Sequence, residues 1–298
     1  MKKIVITGAL GQDGILLSKI LVKNKFKVFG LVNNFSKKSK LKIKNVKYFK
    51  ISSKKFKDVK KLLDNIKPDI IVHLGSSNPS FKQSFRKIDY KKNSEFTKKL
   101  IIYLIKNKEI KFIFPSSSQI YKLSKKKINE KSVPTINSYY SKFRVNSSDY
   151  LLKVKKKYNL NTSIVILFNH DSIYRNPRFL LPRLINAIKK RNNNFLKEIY
   201  YANISGDFSH AEDICNGLYK LIKKDCNPDK LILSSGKKTY INAVIEHFIP
   251  NFKSKIDNKK IILSRSNVGD NLKAIKLLNW KIKKSFLNAA KELYKFED

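Results

Sequence analysis

Tyr140 and Arg144 stand four residues apart in the run Ser138-Tyr139-Tyr140-Ser141-Lys142-Phe143-Arg144. In a helix that spacing puts a phenol and a cation on one face. The cation favours the phenolate and draws a pKa of about 10 towards the working range. A phenolate so placed can take the proton of a sugar hydroxyl while hydride leaves the same carbon. Tyr139 and Lys142 are one residue short of this spacing. A second polar run, Pro115-Ser116-Ser117-Ser118-Gln119-Ile120-Tyr121, follows an apolar stretch. A serine hydroxyl there can bond a substrate oxygen, or merely cap a turn.

The acceptor for such a hydride is suggested by Thr7-Gly8-Ala9-Leu10-Gly11-Gln12-Asp13-Gly14. Gly8 permits a tight turn, Gly11 lets backbone approach a pyrophosphate, and Gly14 lets a helix pack closely on a sheet. The helix N-terminus then offers N–H groups and a positive dipole end to the phosphates. A nicotinamide dinucleotide is the expected ligand. An acidic residue for an unphosphorylated ribose should follow at the end of the second strand. That place holds Asn33 and Asn34, then Ser36, Lys37 and Lys38. The absence of a carboxylate favours NADP over NAD, unless the lysines only reflect the general lysine excess.

These residues need a frame of alternating strands and helices, and the chain reads that way. Strands are expected at Lys3–Thr7, Lys27–Val32, Val46–Ile51, Asp69–Leu74, Lys111–Pro115 and Thr162–Phe168. Helical spacing is present in Ile15–Val22, Val59–Ile66 before Pro68, Glu95–Asn107 and Tyr139–Tyr158. This predicts an α/β Rossmann-type, doubly wound parallel sheet. The carboxyl ends of its strands, where Ser117 and Leu74 fall, would face the ligand. Beyond Asn169 the rhythm changes. Helices are expected at Phe179–Lys190 and His210–Lys223, and strands at Glu198–Ala202, Leu231–Ser234 and Ile261–Leu263. We therefore expect a dinucleotide-binding domain from 1–168 and 203–235. A smaller C-terminal substrate-binding lobe would come from 169–202 and 236–298, with Trp280 in its core.

The 298 residues carry 65 Lys and Arg against 22 Asp and Glu, a net charge of +43. Such an excess attracts polyanions. The lysines are nevertheless spread along the whole chain and accompany many Asn and Ile, as drift towards AT-rich codons would produce. A nucleic-acid role is therefore disfavoured, although a basic surface would help to recruit a phosphorylated small substrate. Cys215 and Cys226 form no Cys-x-x-Cys pair and no zinc spacing, so no metal is expected. No apolar run is long enough to span a bilayer, and the N-terminal run lacks the length of a signal peptide. A cytoplasmic protein with reduced thiols is expected. His170 and His210 read as ordinary hydrogen-bonded residues.

With these motifs in place, the chain resembles the GDP-mannose 4,6-dehydratases among the extended short-chain dehydrogenases (the NAD-dependent epimerase/dehydratase superfamily). The loop Thr7–Gly14 is similar to that family's glycine loop, Gln12-Asp13-Gly14 included. Ile166-Leu167-Phe168-Asn169-His170-Asp171-Ser172 resembles its I-L-F-N-H-E-S segment, and Arg175, Phe179 and Arg183 follow at the family's spacing. Phe208-Ser209-His210-Ala211-Glu212-Asp213 resembles W-G-H-A-x-D. Arg265, Gly269-Asp270, Lys273-Ala274 and Leu278-Asn279-Trp280-Lys281 resemble its C-terminal elements.

The resemblance implies an NADP cofactor and GDP-mannose as substrate. It implies oxidation at C4, loss of water across C5 and C6, and hydride return to C6. It places the family's Ser/Thr on Ser117, its Tyr on Tyr140, its Glu on Gln119 and its Lys on Arg144. Cofactor contacts are implied for Gly8, Gly11, Gln12, Asp13 and Gly14, for Asn33 and Asn34, and for Leu74, Ser76, Asn169 and His170. Asn169, Arg175, Arg183 and Arg265 are implied for the sugar nucleotide, the arginines as bidentate diphosphate ligands. Homo-oligomers are implied as well.

Gln119 and Arg144 depart from the family. An amide can neither take nor give the proton that the glutamate moves at C5 and C6. Arg144 keeps the charge but does not deprotonate. Asn33 and Asn34 replace an arginine pair, Lys50 an aspartate, Gly206 an arginine and Leu184 a lysine. Three function classes follow. One is a dehydratase, reductase or epimerase of a nucleotide sugar. The second is a cofactor-binding paralogue without full turnover. The third is a nucleic-acid binder, which the glycine loop and the Ile166–Ser172 segment argue against.

Overall fold

The computed structural model describes residues 1–34, 41–80, 83–255 and 266–296. The apolar runs form β1 (Lys3–Thr7), β2 (Lys27–Val32), β3 (Val46–Lys50), β4 (Ile70–His73), β5 (Lys111–Ser117) and β6 (Thr162–Leu167). The short strands β7 (Asn169–Asp171), β8 (Ser205–Gly206) and β9 (Phe208–His210) precede β10 (Lys230–Leu233), and β11 (Thr239–Tyr240) comes last. Seven strands make one sheet in the order β10-β6-β5-β4-β1-β2-β3. Every pairing in it is parallel. Ile4 lies between Val28 and Ile70, and Thr7 between Leu31 and His73. From β1 the chain winds first towards β3, then restarts at β4 and winds the other way. The order therefore reverses between β1 and β4, and ligand crevices form at the carboxyl ends of strands at such a point.

Helices cover both faces, as continuous apolar strands require. On one face lie α2 (Phe56–Ile66), α3 (Lys87–Ile105) and α4 (Tyr139–Tyr158). The other face receives α1 (Gln12–Lys23), α7 (Ala211–Lys223) and α9 (Leu272–Leu278). Trp280 packs there too, its Nε1 donating to Asp213 O at 2.8 Å. This corrects the expectation that Trp280 fills the smaller lobe: the indole seals α7 against the main sheet. A third apolar cluster joins α5 (Leu180–Lys189), α6 (Asn193–Ala202), α8 (Asn242–Phe248) and α10 (Phe286–Lys295) around Phe208.

Glu198–Ala202 is helical rather than extended. Asn192 caps α6 by accepting from Phe195 N, and Leu196, Ile199 and Tyr200 give it a buried face at helical spacing. α3 begins eight residues before the expected Glu95, through the lysine-rich turns Lys87–Ser94. Its start is set by Asp89, whose carboxylate accepts from Arg86 N at 3.0 Å. The expected strand Ile261–Leu263 lies outside the described residues.

Candidate active site

Gly8 takes φ +69°, a backbone conformation open to glycine and strained for other residues. Its N–H donates to Leu31 O at 2.9 Å, and its carbonyl accepts from Gly11 N at 2.9 Å. A Cβ on Gly14 would lie 2.5 Å from Gly8 O and 2.7 Å from Ala9 Cα. Gly14 thus lets the first turn of α1 press against the glycine turn itself. A Cβ on Gly11 would meet only Gly8 O, at 3.2 Å, and otherwise enter open space. That space is a groove of about 280 Å³, walled by Gly8, Gly11, Gln12, Asp13, Gly14, Asn33, Leu74 and Ser76. Ile51, Ser53, Lys92 and Asn93 complete its far side. A bare loop and a helix N-terminus lining one groove fit the phosphates of a dinucleotide.

The groove opens towards a smaller cavity of about 100 Å³. Ser117, Gln119, Tyr140 and Arg144 all line it, with Asn169, His170 and Arg175. Asp13, Leu74, Asn78 and Arg175 line both spaces. Ser117 ends β5, and its Oγ accepts from Gln119 N at 3.2 Å, which tightens the turn carrying Gln119. Tyr140 and Arg144 lie on the inner face of α4. Ser138 caps that helix, accepting from Ser141 N at 3.1 Å. Tyr139 is 42% exposed, so its side of α4 faces out; Lys142 Nζ lies 5.5 Å over the Tyr90 ring. Of the two tyrosine–cation pairs, Tyr140 with Arg144 is the one turned inward.

Arg144 is only 6% exposed. Its Nη1 donates to Pro115 O at 2.7 Å, and its Nη2 to Ser76 Oγ at 2.7 Å and Asn78 Oδ1 at 3.3 Å. The guanidinium also lies 5.2 Å from the Tyr140 ring centroid. Among the described residues no carboxylate pairs with it. Ser116 Oγ is buried in the same cavity and has no hydrogen-bond partner among the described residues.

A charged cluster marks the junction. Asp13, in the first turn of α1, meets His170 Nε2 at 3.0 Å across 157 residues of chain. Burial would raise the Asp13 carboxyl, but His170, Gln12 and Arg175 bring it down to about 2. Burial would lower the His170 pKa, and Asp13 more than reverses this, leaving it above its ordinary value. His170 Nδ1 meets Phe168 O at 2.6 Å. Gln12 Nε2 donates to His170 O at 3.1 Å, and its Oε1 accepts from Ser172 Oγ at 3.1 Å. Arg175 Nε stands 2.9 Å from Asp171 Oδ1, close enough for an ion pair but out of line for a hydrogen bond. Burial pushes the Asp171 carboxyl up against the pull of Arg175.

The remaining expected residues are less central. Arg183 lies on α5 with its guanidinium 4.9 Å from the Phe195 ring centroid, and lines neither space. Asn34 adjoins Asn33 at the end of β2 but does not line the groove. Ser36, Lys37, Lys38 and Arg265 lie outside the described residues. His210 is a structural residue: its Nδ1 accepts from Glu212 N at 3.1 Å, and its Nε2 meets Glu292 at 3.0 Å. Among the described residues no cluster of three His, Cys, Asp or Glu could hold a metal, and no helix is long and apolar enough to cross a membrane. Asn78 and His73 were not anticipated, because only the fold brings the β4 end to β5 and α4.

Comparison with known proteins identifies the family. A family model described as GDP-mannose 4,6 dehydratase matches residues 5–293. The GDP-mannose 4,6-dehydratase of Vibrio cholerae is 22% identical over 82% of this chain and 70% of its own length. That of Dictyostelium discoideum is 22% identical over 98% and 94%. Among solved structures, dTDP-glucose 4,6-dehydratase of Bacillus anthracis in complex with NAD superposes with a TM-score of 0.82. It is 18% identical, with 99% of this chain and 96% of that chain covered. UDP-glucose 4-epimerase of Thermotoga maritima gives 0.80 at 18% identity, covering 98% and 97%. The chain belongs to the GDP-mannose 4,6-dehydratase family, and it shares its fold with these solved structures.

Proposed function

We propose that this protein is an NADP-dependent enzyme acting at C4 of GDP-mannose or a close GDP-hexose. The observation that carries the proposal is the convergence of Ser117, Tyr140 and Arg144 in one cavity that opens onto the glycine-loop groove. Residues of the glycine turn, Leu74 and Ser76 would hold the dinucleotide. When bound, its nicotinamide supplies an acceptor for the C4 hydride. Tyr140 takes the C4 hydroxyl proton, Ser117 holds the same oxygen, and Arg144 contributes a positive charge beside Tyr140. Arg175, beside both spaces, is placed for a diphosphate. The cluster of α5, α6, α8 and α10 would close over the sugar nucleotide, while α9 and Trp280 pack on the main sheet. Asp13 is the only carboxylate among the described residues lining the groove, which supports NADP over NAD. The reading places a homo-oligomer in the cytoplasm.

One observation favours a second reading of the chemistry, reversible redox or epimerisation at C4 without dehydration. Elimination needs a base at C5 and an acid at C6. Gln119 can be neither, and the single carboxylate lining the cavity among the described residues, Asp13, is engaged by His170. The test is calorimetry with NADP and NAD, with and without GDP-mannose, at two salt concentrations, followed by product analysis. Saturable cofactor binding with weak salt dependence is expected. Loss of all cofactor binding, or steeply salt-dependent binding of any polyanion, would refute the proposal.

A further inference from the structure

Arg144 combines three features seldom found together. It is buried, it has no carboxylate partner among the described residues, and all its bonded acceptors are neutral. A buried cation of this kind costs desolvation unless its geometry is fixed and a negative group faces it when the site works. Two of its three acceptors, Ser76 and Asn78, come from the loop after β4. The third, Pro115 O, comes from β5. A planar fork needs several acceptors to hold one orientation, and these three supply them before any ligand arrives. Asn78 and Arg144 both line the catalytic cavity, while Ser76 lines the groove. Among the described residues the Ser76 hydroxyl has no second partner. Having accepted from a cation, it is a stronger donor, and its proton is free for a ligand in the groove.

We infer that Ser76 and Asn78 are positioning residues that lock Arg144 at the seam between groove and cavity, with Ser76 also passing a hydrogen bond to the dinucleotide. The inference rests on the proposed NADP-dependent reading. Three consequences separate it from simple packing. Ser76→Ala loses the bond to the cofactor, whereas Ser76→Thr keeps the hydroxyl. Asn78→Ala removes one of the three acceptors that orient the guanidinium beside Tyr140. Arg144→Lys removes the partner of both, since a single ammonium cannot span three acceptors in the same way.

The experiment measures Kd for NADP and for GDP-mannose by calorimetry, with kcat and KM, for the native chain and these variants. Ser76→Ala is expected to weaken NADP about fivefold to tenfold and leave GDP-mannose unchanged, with Ser76→Thr close to native. Asn78→Ala is expected to lower kcat at constant KM. The Ser76→Ala and Arg144→Lys losses in NADP affinity should be less than additive in the double variant. Native NADP affinity in Ser76→Ala, or full additivity, overturns the inference alone. Failure of the native chain to bind either dinucleotide overturns the proposed function and the inference with it.

Discussion

His73 is the group through which acid should reach the site. It ends β4 beneath the glycine turn. Its Nδ1 meets Thr7 Oγ1 at 2.7 Å and its Nε2 meets Thr97 Oγ1 at 3.0 Å. Thr7 Oγ1 also accepts from Gly75 N at 2.9 Å, so one imidazole ties β1, α3 and the loop bearing Ser76 and Asn78. Burial among Phe96, Phe112 and Phe114, and then the charge of Arg144, hold its pKa near 3. The unfolded chain binds this proton with a pKa of about 6.5. Because the folded value is the lower one, the contribution to stability is complete above pH 6.5. It erodes as pH falls towards 3. At pH 5 the loss from this group alone is about 2 kcal/mol. Urea unfolding of the native chain and of His73→Asn at pH 7.5 and pH 5 isolates it. The native chain should lose about 2 kcal/mol more than the variant between the two conditions. Parallel losses would show that His73 is not held neutral, and the argument would fall.

Three further outcomes are expected. Asp13→Asn should drop the His170 pKa below 6.5, because burial and Arg175 remain while the carboxylate is gone; imidazole NMR titration reads it directly. Gly14→Ala should cost about 1–3 kcal/mol in thermal or urea unfolding and weaken dinucleotide binding, since the added methyl meets backbone on two sides and neither can swing away. Gln119→Glu places an ionisable group at the cavity, and the rate of 4-keto-6-deoxy product formation from GDP-mannose should rise by about 10²–10⁴. A native chain that already makes that product as fast as the variant would exclude the redox-only reading.

The inner strands were legible because they are buried on both faces and therefore appear as unbroken apolar runs, as in Ile4-Val5-Ile6 and Ile70-Ile71-Val72, whereas the edge strand β3 carries two lysines and is only partly buried. The inner pair on α4 was legible because helical spacing carries it. The start of α3 was not: Lys87–Ser94 is largely solvated, so it lacks an apolar period and is held by a cap. α6 misled through Ile199-Tyr200-Tyr201, residues that favour strands until tertiary contacts choose a helical face for them. The contacts that define the junction were beyond sequence reading altogether. Asp13 to His170 spans 157 residues and Arg144 to Ser76 spans 68, and nothing in local spacing marks either.

Asp13, Leu74, Asn78 and Arg175 belong to two walls at once. On the proposed function, a partition shared in this way makes the dinucleotide and the sugar nucleotide thermodynamic correspondents. Whatever the dinucleotide does to orient that partition, the sugar nucleotide finds already done. The factor by which the first tightens the second must equal the factor by which the second tightens the first. Order of addition can change the kinetics of filling the site but not that factor.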